Sequence, residues 1–241
     1  SGIELTESGQ RLYDYANTVL SEYDKLKKEI DMIRASEEGT VELLVAYDIL
    51  RYLTPDCILE FQKKYPNVTF SYMEYPDRIV EKMLLDKEGN VALSIGPFAG
   101  DCFDMKSLKK CSLGLLVYEG HSLAKKREAT ILDLEGEPLY LENSSFKLNE
   151  FIQSRCWNRG FEPDIVFETN GFDLCYKMCR LKRGISVTID FVHEDMNTEG
   201  LVMIPFAEDD MIWEIGLLTL KDRAMESSVE KFYKYIEKYN S

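Results

Sequence analysis

The chain has 241 residues, 45% of them hydrophobic and 30% charged, which excludes a disordered segment and fits one large or two modest domains at about 150 residues per domain. Lys and Arg number 29 against 43 Asp and Glu, a net charge of −14, which excludes a nucleic-acid surface on this stretch because phosphate contacts need clustered basic residues. No apolar run reaches the roughly 18–20 residues of a membrane span, and six cysteines without a framework spacing read as reduced thiols of a cytoplasmic protein.

The first elements in chain order are helical. Thr6 is placed to cap a helix with Glu7 in its first turn, where the helix dipole favours an anion. Leu12, Ala16, Val19, Tyr23, Leu26, Ile30 and Ile33 then recur at alternating spacings of 4 and 3 residues. That is a heptad seam, and the intervening positions are mostly charged or polar. A 3.5-residue period favours pairing with another chain over packing on the chain's own core, where the stripe is usually wider. Glu38-Gly39 supplies the stop.

Strand and helix alternate from there. Val41–Ala46 reads as a strand, followed by a helix that Thr54-Pro55-Asp56 caps, with Leu53, Cys57, Ile58, Phe61 and Tyr65 on one face. Tyr65-Pro66 ends it, because the residue before proline is pushed out of the helical region. A strand at Val68–Tyr75, a helix carrying Ile79, Val80, Met83 and Leu84, and a strand at Val91–Ile95 complete the first block. After an extended stretch at Gly96–Asp104, strands are expected at Leu113–Tyr118, Pro138–Glu142, Asp164–Glu168 and Ile185–Ile189. Helices fall at Leu148–Arg159 and Phe172–Leu181. Leu201–Ile204 and Ile212–Thr219 are further strands, and a helix with Val229, Phe232, Tyr233, Ile236 and Tyr239 closes the chain. The alternation predicts a largely parallel α/β sheet in two lobes with a cleft between them.

No nucleotide loop, nucleophile elbow or zinc-protease motif is present. Two histidines, His121 and His193, both in polar surroundings, read as surface residues. Cys175 and Cys179, with Leu174 and Met178, read as small core hydrophobes on an apolar stripe. The acidic runs Glu208-Asp209-Asp210 and Glu194-Asp195 read as solvated loops. The expectation is a protein without catalysis, metal or cofactor. What remains is a set of polar groups at strand ends, where ligands of open α/β sheets bind: Tyr47, Asp48 and Ile49 after the first strand, Pro97 after the third, Ser144 and Ser145 after the fifth, Thr169 and Asn170 after the sixth, and Thr188 closing the seventh. Helix capping accounts for each alone. Their recurrence in both blocks raises the ligand reading.

The order of these features resembles the LysR-type transcriptional regulators. Leu5-Thr6-Glu7-Ser8-Gly9 resembles the opening of that family's linker helix. Phe61 to Val68 (FQKKYPNV) resembles its "F-x-x-x-Y-P-x-V" stretch, His121-Ser122-Leu123-Ala124 before Leu132-Asp133-Leu134 its "H-P-L-A … L-x-D-L" stretch, and Arg183-Gly184-Ile185 its turn into a strand. The resemblance covers essentially the whole sequence. It implies a linker helix at 3–38 and an α/β fold of two Rossmann-like lobes of periplasmic-binding-protein type, the lobes being 40–98 plus 200–241, and 99–199. It also implies a small-molecule effector in the cleft, self-association to a dimer or tetramer, no membrane contact, and DNA contact only through an N-terminal helix-turn-helix that this sequence does not contain. Tyr47 and Ile49 would then wall the cleft, Ser144, Ser145, Thr169 and Asn170 would hydrogen-bond the effector, and Asp48 would disfavour an anion. Where peroxide-sensing members carry a cysteine pair, Phe146 stands at the first position with Cys156 near the second, which argues against a disulfide switch. The alternative is an extracytoplasmic solute-binding protein of a transporter, against which the heptad helix and the unframed cysteines count.

Overall fold

The computed structural model describes residues 6–36, 39–98 and 101–239. Helix α1 (Glu7–Ser36) is capped as the sequence predicts, the Gly9 amide donating to Thr6 Oγ1 at 3.1 Å. Its seam faces solvent: Leu12 is 70% exposed and Tyr23 63%, with Val19 and Leu26 also exposed. The side chains of Ile30 and Ile33, and residues 3–5, 37 and 38, lie outside the described residues.

The first lobe is built from β1 (Gly39–Ala46), α2 (Ile49–Leu53), α3 (Asp56–Lys64), β2 (Val68–Tyr75), α4 (Asp77–Leu85) and β3 (Val91–Gly96). β1 pairs in parallel with both β2 and β3. The expected single helix around Thr54 is two helices. Pro55 bars Thr54 from the helical region, and Thr54 turns the chain at φ 60°. The long β4 (Phe103–Tyr118) then runs through both lobes, ten residues further upstream than the strand expected at Leu113–Tyr118. Its first part is half-exposed and alternates polar and apolar residues, so no continuous apolar run marks it.

The second lobe contains β5 (Leu139–Glu142), α5 (Lys147–Asn158), β6 (Ile165–Thr169), α6 (Phe172–Arg180), β7 (Ile185–Ile189), α7 (Asp190–Asp195) and β8 (Leu201–Pro205). β9 (Ile212–Leu220) returns between β3 and β4, and α8 (Ser227–Tyr239) closes the chain on the first lobe. The strand order is β2-β1-β3-β9-β4-β7-β5-β6, with β8 also on β4. Pairings within each β–α–β run are parallel, but β9 and β4 pair antiparallel with their neighbours, so the sheet is mixed rather than largely parallel. β8 pairs with Gly114–Tyr118, the stretch of β4 whose first residues also carry β7.

The core is continuous from Val41, Leu43 and Phe61 through Leu93 and Ile215 to Leu115, Ile152 and Val187. α8 buries Val229, Phe232 and Ile236 of its predicted stripe, while Tyr233 is half-buried and Tyr239 exposed. Gly184 is required by proximity: a Cβ there would lie 2.1 Å from the Pro138 carbonyl oxygen. Three readings change. α6 buries Phe172, Cys175, Tyr176 and Cys179, while Leu174 and Met178 are not part of its buried face. His193 is half-buried against Tyr176, and His121 caps a single helical turn through Nδ1, accepting from the Leu123 amide, so neither is a plain surface residue. The acidic runs are engaged, Asp195 with Arg51, Asp210 with Arg155 and Glu208 with the Ile131 amide.

Candidate functional site

A small cavity opens where the carboxyl ends of the strands from both lobes converge. This is where ligands of open α/β sheets bind, because the helices that follow adjacent strands diverge there. Ala46, Tyr47 and Asp48 reach it from the end of β1, Ile95 from β3, Glu142 from β5 and Ile189 from β7. Asp77 lines it from the start of α4, and Phe146, Leu148, Phe172 and Phe191 from the starts of α5, α6 and α7; Trp213 of β9 completes it. The lining is aromatic and acidic, with three carboxyls and no basic side chain. The Trp213 indole N–H is buried without a partner among the described residues.

Charged contacts join the lobes on either side of this cavity. At one seam Lys147, the first residue of α5, is buried. Its Nζ donates to Glu81 and, at 2.9 Å, to the Ile95 carbonyl, while its backbone amide donates to Asp77 Oδ1 at 3.0 Å. Arg78 pairs with Glu150 outside it. At the other seam Arg51 of α2 bonds Asp48 at 2.5 Å and reaches across to Asp195 at 2.6 Å and Asp173 at 3.5 Å. Asp48 holds φ 69°, a left-handed conformation that Asp tolerates better than most residues, and this turns its carboxylate back onto Arg51.

Burial raises all three cavity carboxyls. Asp77 is pushed up to about 6, with the Lys147 charge opposing the shift. Asp48 is raised by burial and held back by Arg51. Glu142 is raised well above the usual carboxylate range by burial and then by the charges of Asp48 and Asp77. Behind the cavity, the Tyr176 hydroxyl bonds Thr188 Oγ1 at 2.9 Å and His193 Nδ1 at 3.1 Å, and burial lowers the basicity of His193. Three buried thiols are inert by the same physics: burial pushes Cys156 and Cys175 up to about 11 and Cys179 up to about 12, far from the depressed values that make a cysteine reactive.

Of the residues singled out in the sequence, Tyr47 and Asp48 line the cavity. Ile49 is fully buried beneath them. Pro97 faces a separate surface hollow beside Phe98 and Phe151. Ser144 is exposed and Ser145 half-buried, in a turn whose Ser145 amide donates to Asn143 Oδ1 at 2.8 Å. Thr169 Oγ1 is engaged by Gly171 and Cys175, Asn170 by Asn143 at 2.6 Å, and Thr188 by Tyr176. Of the strand-end hydroxyls, Thr169 is thus tied up beside its own loop and Thr188 on Tyr176 of α6. Glu142 and Asp77 lie within two residues of features the sequence reading did use. Their signals were an acidic residue closing an otherwise apolar strand and the Pro76-Asp77 helix start. The aromatic walls come from helix starts and carry no local signal.

Comparison with known proteins agrees with this geometry. The family described as LysR substrate binding domain matches residues 34–240. The transcriptional dual regulator GltC of Bacillus subtilis is 23% identical over 99% of this chain and 80% of its own length. The uncharacterized HTH-type transcriptional regulator YwbI of the same organism is 25% identical over 77% of this chain, and the match spans 62% of YwbI. Among solved structures, the Synechocystis PCC6803 CcmR regulatory domain in complex with 2-PG superposes with a TM-score of 0.75 at 16% identity, covering 85% of this chain and 98% of that one. The two-lobed α/β architecture, the strand-end cavity and the match over 34–240 have one source: the chain belongs to the LysR substrate-binding-domain family, the effector-binding region of LysR-type transcriptional regulators.

Proposed function

We propose that this region senses a small molecule in the cavity between its lobes and passes the result through α1 to DNA-binding domains carried by the full-length regulator, in the cytoplasm. The observation that carries the reading is the arrangement of charged contacts around the cavity. Arg51 of the first lobe bonds Asp173 and Asp195 of the second, and Lys147 of the second bonds Asp77, Glu81 and Ile95 of the first, so a ligand that alters the spacing of the lobes changes both sets of contacts at once. In this reading α1 is the linker and dimerisation helix. The first lobe comprises 40–98 with the segment that follows β8, and the second comprises 99–205. The exposed apolar stripe of α1 supports self-association, since exposed Leu12, Val19, Tyr23 and Leu26 on one helix face bury their area most simply against a second copy.

A thermal-shift screen against a metabolite library of mixed charge tests the sensing role. A ligand at 100 times its dissociation constant adds about 2.7 kcal/mol and moves the midpoint by several degrees for a chain of this size. No shift across the library would count against a small-molecule effector. For α1, light scattering at tens of micromolar should give a dimer or larger, reduced by Leu12→Asp with Leu26→Asp. A monomeric mass for the unmodified chain would remove the helix from the account.

A further inference from the structure

We propose, resting on the effector reading above, that the cavity takes a small organic cation, its ammonium or amidinium group seated against Glu142 and its apolar body held among Tyr47, Phe146, Phe172 and Phe191. The argument begins with which carboxyls already have partners. Asp48 is bonded to Arg51 at 2.5 Å, Asp77 accepts the Lys147 amide, and Glu81 behind it accepts both Lys147 Nζ and Ser94 Oγ. Glu142 sits between these two seams. Its side chain lines the cavity, the residue is 4% exposed, and its carboxyl has no hydrogen bond or ion pair among the described residues. A buried carboxyl without a partner is costly and rare in native structures. Here the open space next to it is the cavity itself.

The rest of the lining selects the sign of the ligand. An anion would meet the carboxylates of Asp48 and Asp77 and no basic side chain among the lining residues, and like charges at close range in a poorly hydrated site repel strongly. The two nearest cations, Arg51 and Lys147, are already engaged. Aromatic faces, by contrast, attract cations through their quadrupole and accept an apolar body.

Binding is coupled to a proton. The groups facing Glu142 are Asp48 from the end of β1, Asp77 from α4 and the Cys175 thiol from α6; burial, and then the two carboxyls, shift it towards its protonated form. An arriving ammonium favours the carboxylate, so Glu142 passes its proton to solvent as the ion pair forms. Amine affinity therefore rises with pH up to the point where Glu142 ionises unaided.

The test is calorimetry and thermal shift on the whole chain with matched probes: benzylamine, phenethylamine and agmatine, against benzoate, phenylacetate and benzyl alcohol. The expected result is an amine that binds at least tenfold tighter than its carboxylate counterpart. Titrations in buffers of different ionisation enthalpy should show proton release, a readout that needs no variant. Glu142→Gln should weaken amine binding at least tenfold while the empty protein melts no lower than the parent. A carboxylate or alcohol that binds more tightly than the amines overturns the cationic class and leaves the effector reading standing. Amine binding unchanged in Glu142→Gln, or without proton release, overturns Glu142 as the anchor. Failure of every probe, with no hit in the mixed-charge screen, overturns both.

Discussion

The two charged seams of the cleft use the same chemistry at different depths. At the Lys147 seam both Lys147 and Glu81 expose only 11% of their side chains, and the lysine is further engaged by a carbonyl and lies over the Phe98 ring. At the Arg51 seam the arginine is 25% exposed and its partner Asp173 83%. Solvent screens the second seam and barely reaches the first. A buried pair costs desolvation whether or not it is well made, so breaking it by removing one partner is severe, whereas an exposed pair contributes little. The Lys147 seam is accordingly the clasp that stability depends on, and the Arg51 seam is the one that can open at small cost.

Three experiments sharpen or break that contrast. The largest effect is expected from Lys147→Met. It leaves Glu81 buried without its cation and should cost about 3–5 kcal/mol in chemical denaturation, and adding Glu81→Gln should recover much of the loss. If the single variant loses less than Arg51→Gln does, the ranking of the seams is wrong.

Asp77 gives the next effect, through pH. Its carboxyl is raised from 3.8 to about 6 in the folded protein, so the unfolded chain releases this proton first. Its contribution to stability is fully present below about pH 4 and is lost as pH rises towards 6, with little change above. The loss is of order 3 kcal/mol at 1.36 kcal/mol per pH unit between the two values. Asp77→Asn should flatten that segment of the stability–pH curve relative to the parent. Parallel curves for the two proteins between pH 4 and 7 would contradict the assignment. The smallest effect belongs to Arg51→Gln, at about 1 kcal/mol or less, read as a minor change in midpoint together with altered ligand affinity.

Much of the fold is legible in the sequence because it rests on local periodicity. β2 and β7 begin and end where alternation and turn residues place them, and α8 buries Val229, Phe232 and Ile236 of its predicted stripe. The failures share a cause. β4 is long because it pairs first with β9 over Phe103–Ser112 and then with β7 and β8 over Leu113–Tyr118, and the exposed first part leaves no apolar run. α7 follows β7 without a linker, so no turn residue announces it. In the candidate site, position after a strand identifies Tyr47 and Asp48, yet Thr169 and Thr188 occupy equivalent positions with their hydroxyls turned to internal partners. Chain position says which end of the sheet a residue occupies, and side-chain direction depends on neighbours distant in sequence.

The sequence by itself determines an acidic, two-lobed α/β chain led by a heptad helix, because composition, alternation and a 3.5-residue period are local properties. Its family is legible for the same reason, in the order of short motifs along the chain. Only the tertiary structure decides that Glu142, Asp48 and Asp77 share one cavity. They come from β5, the end of β1 and α4, and the strand crossovers bring them together. It also decides their surroundings, since Lys147 reaches Glu81 and Asp77 from the opposite lobe, while Arg51, three residues from Asp48, reaches Asp195 across the cleft. The charge that distinguishes this cleft is therefore a property of lobe packing: burial removes water from three carboxyls while the fold supplies cations to only two of them.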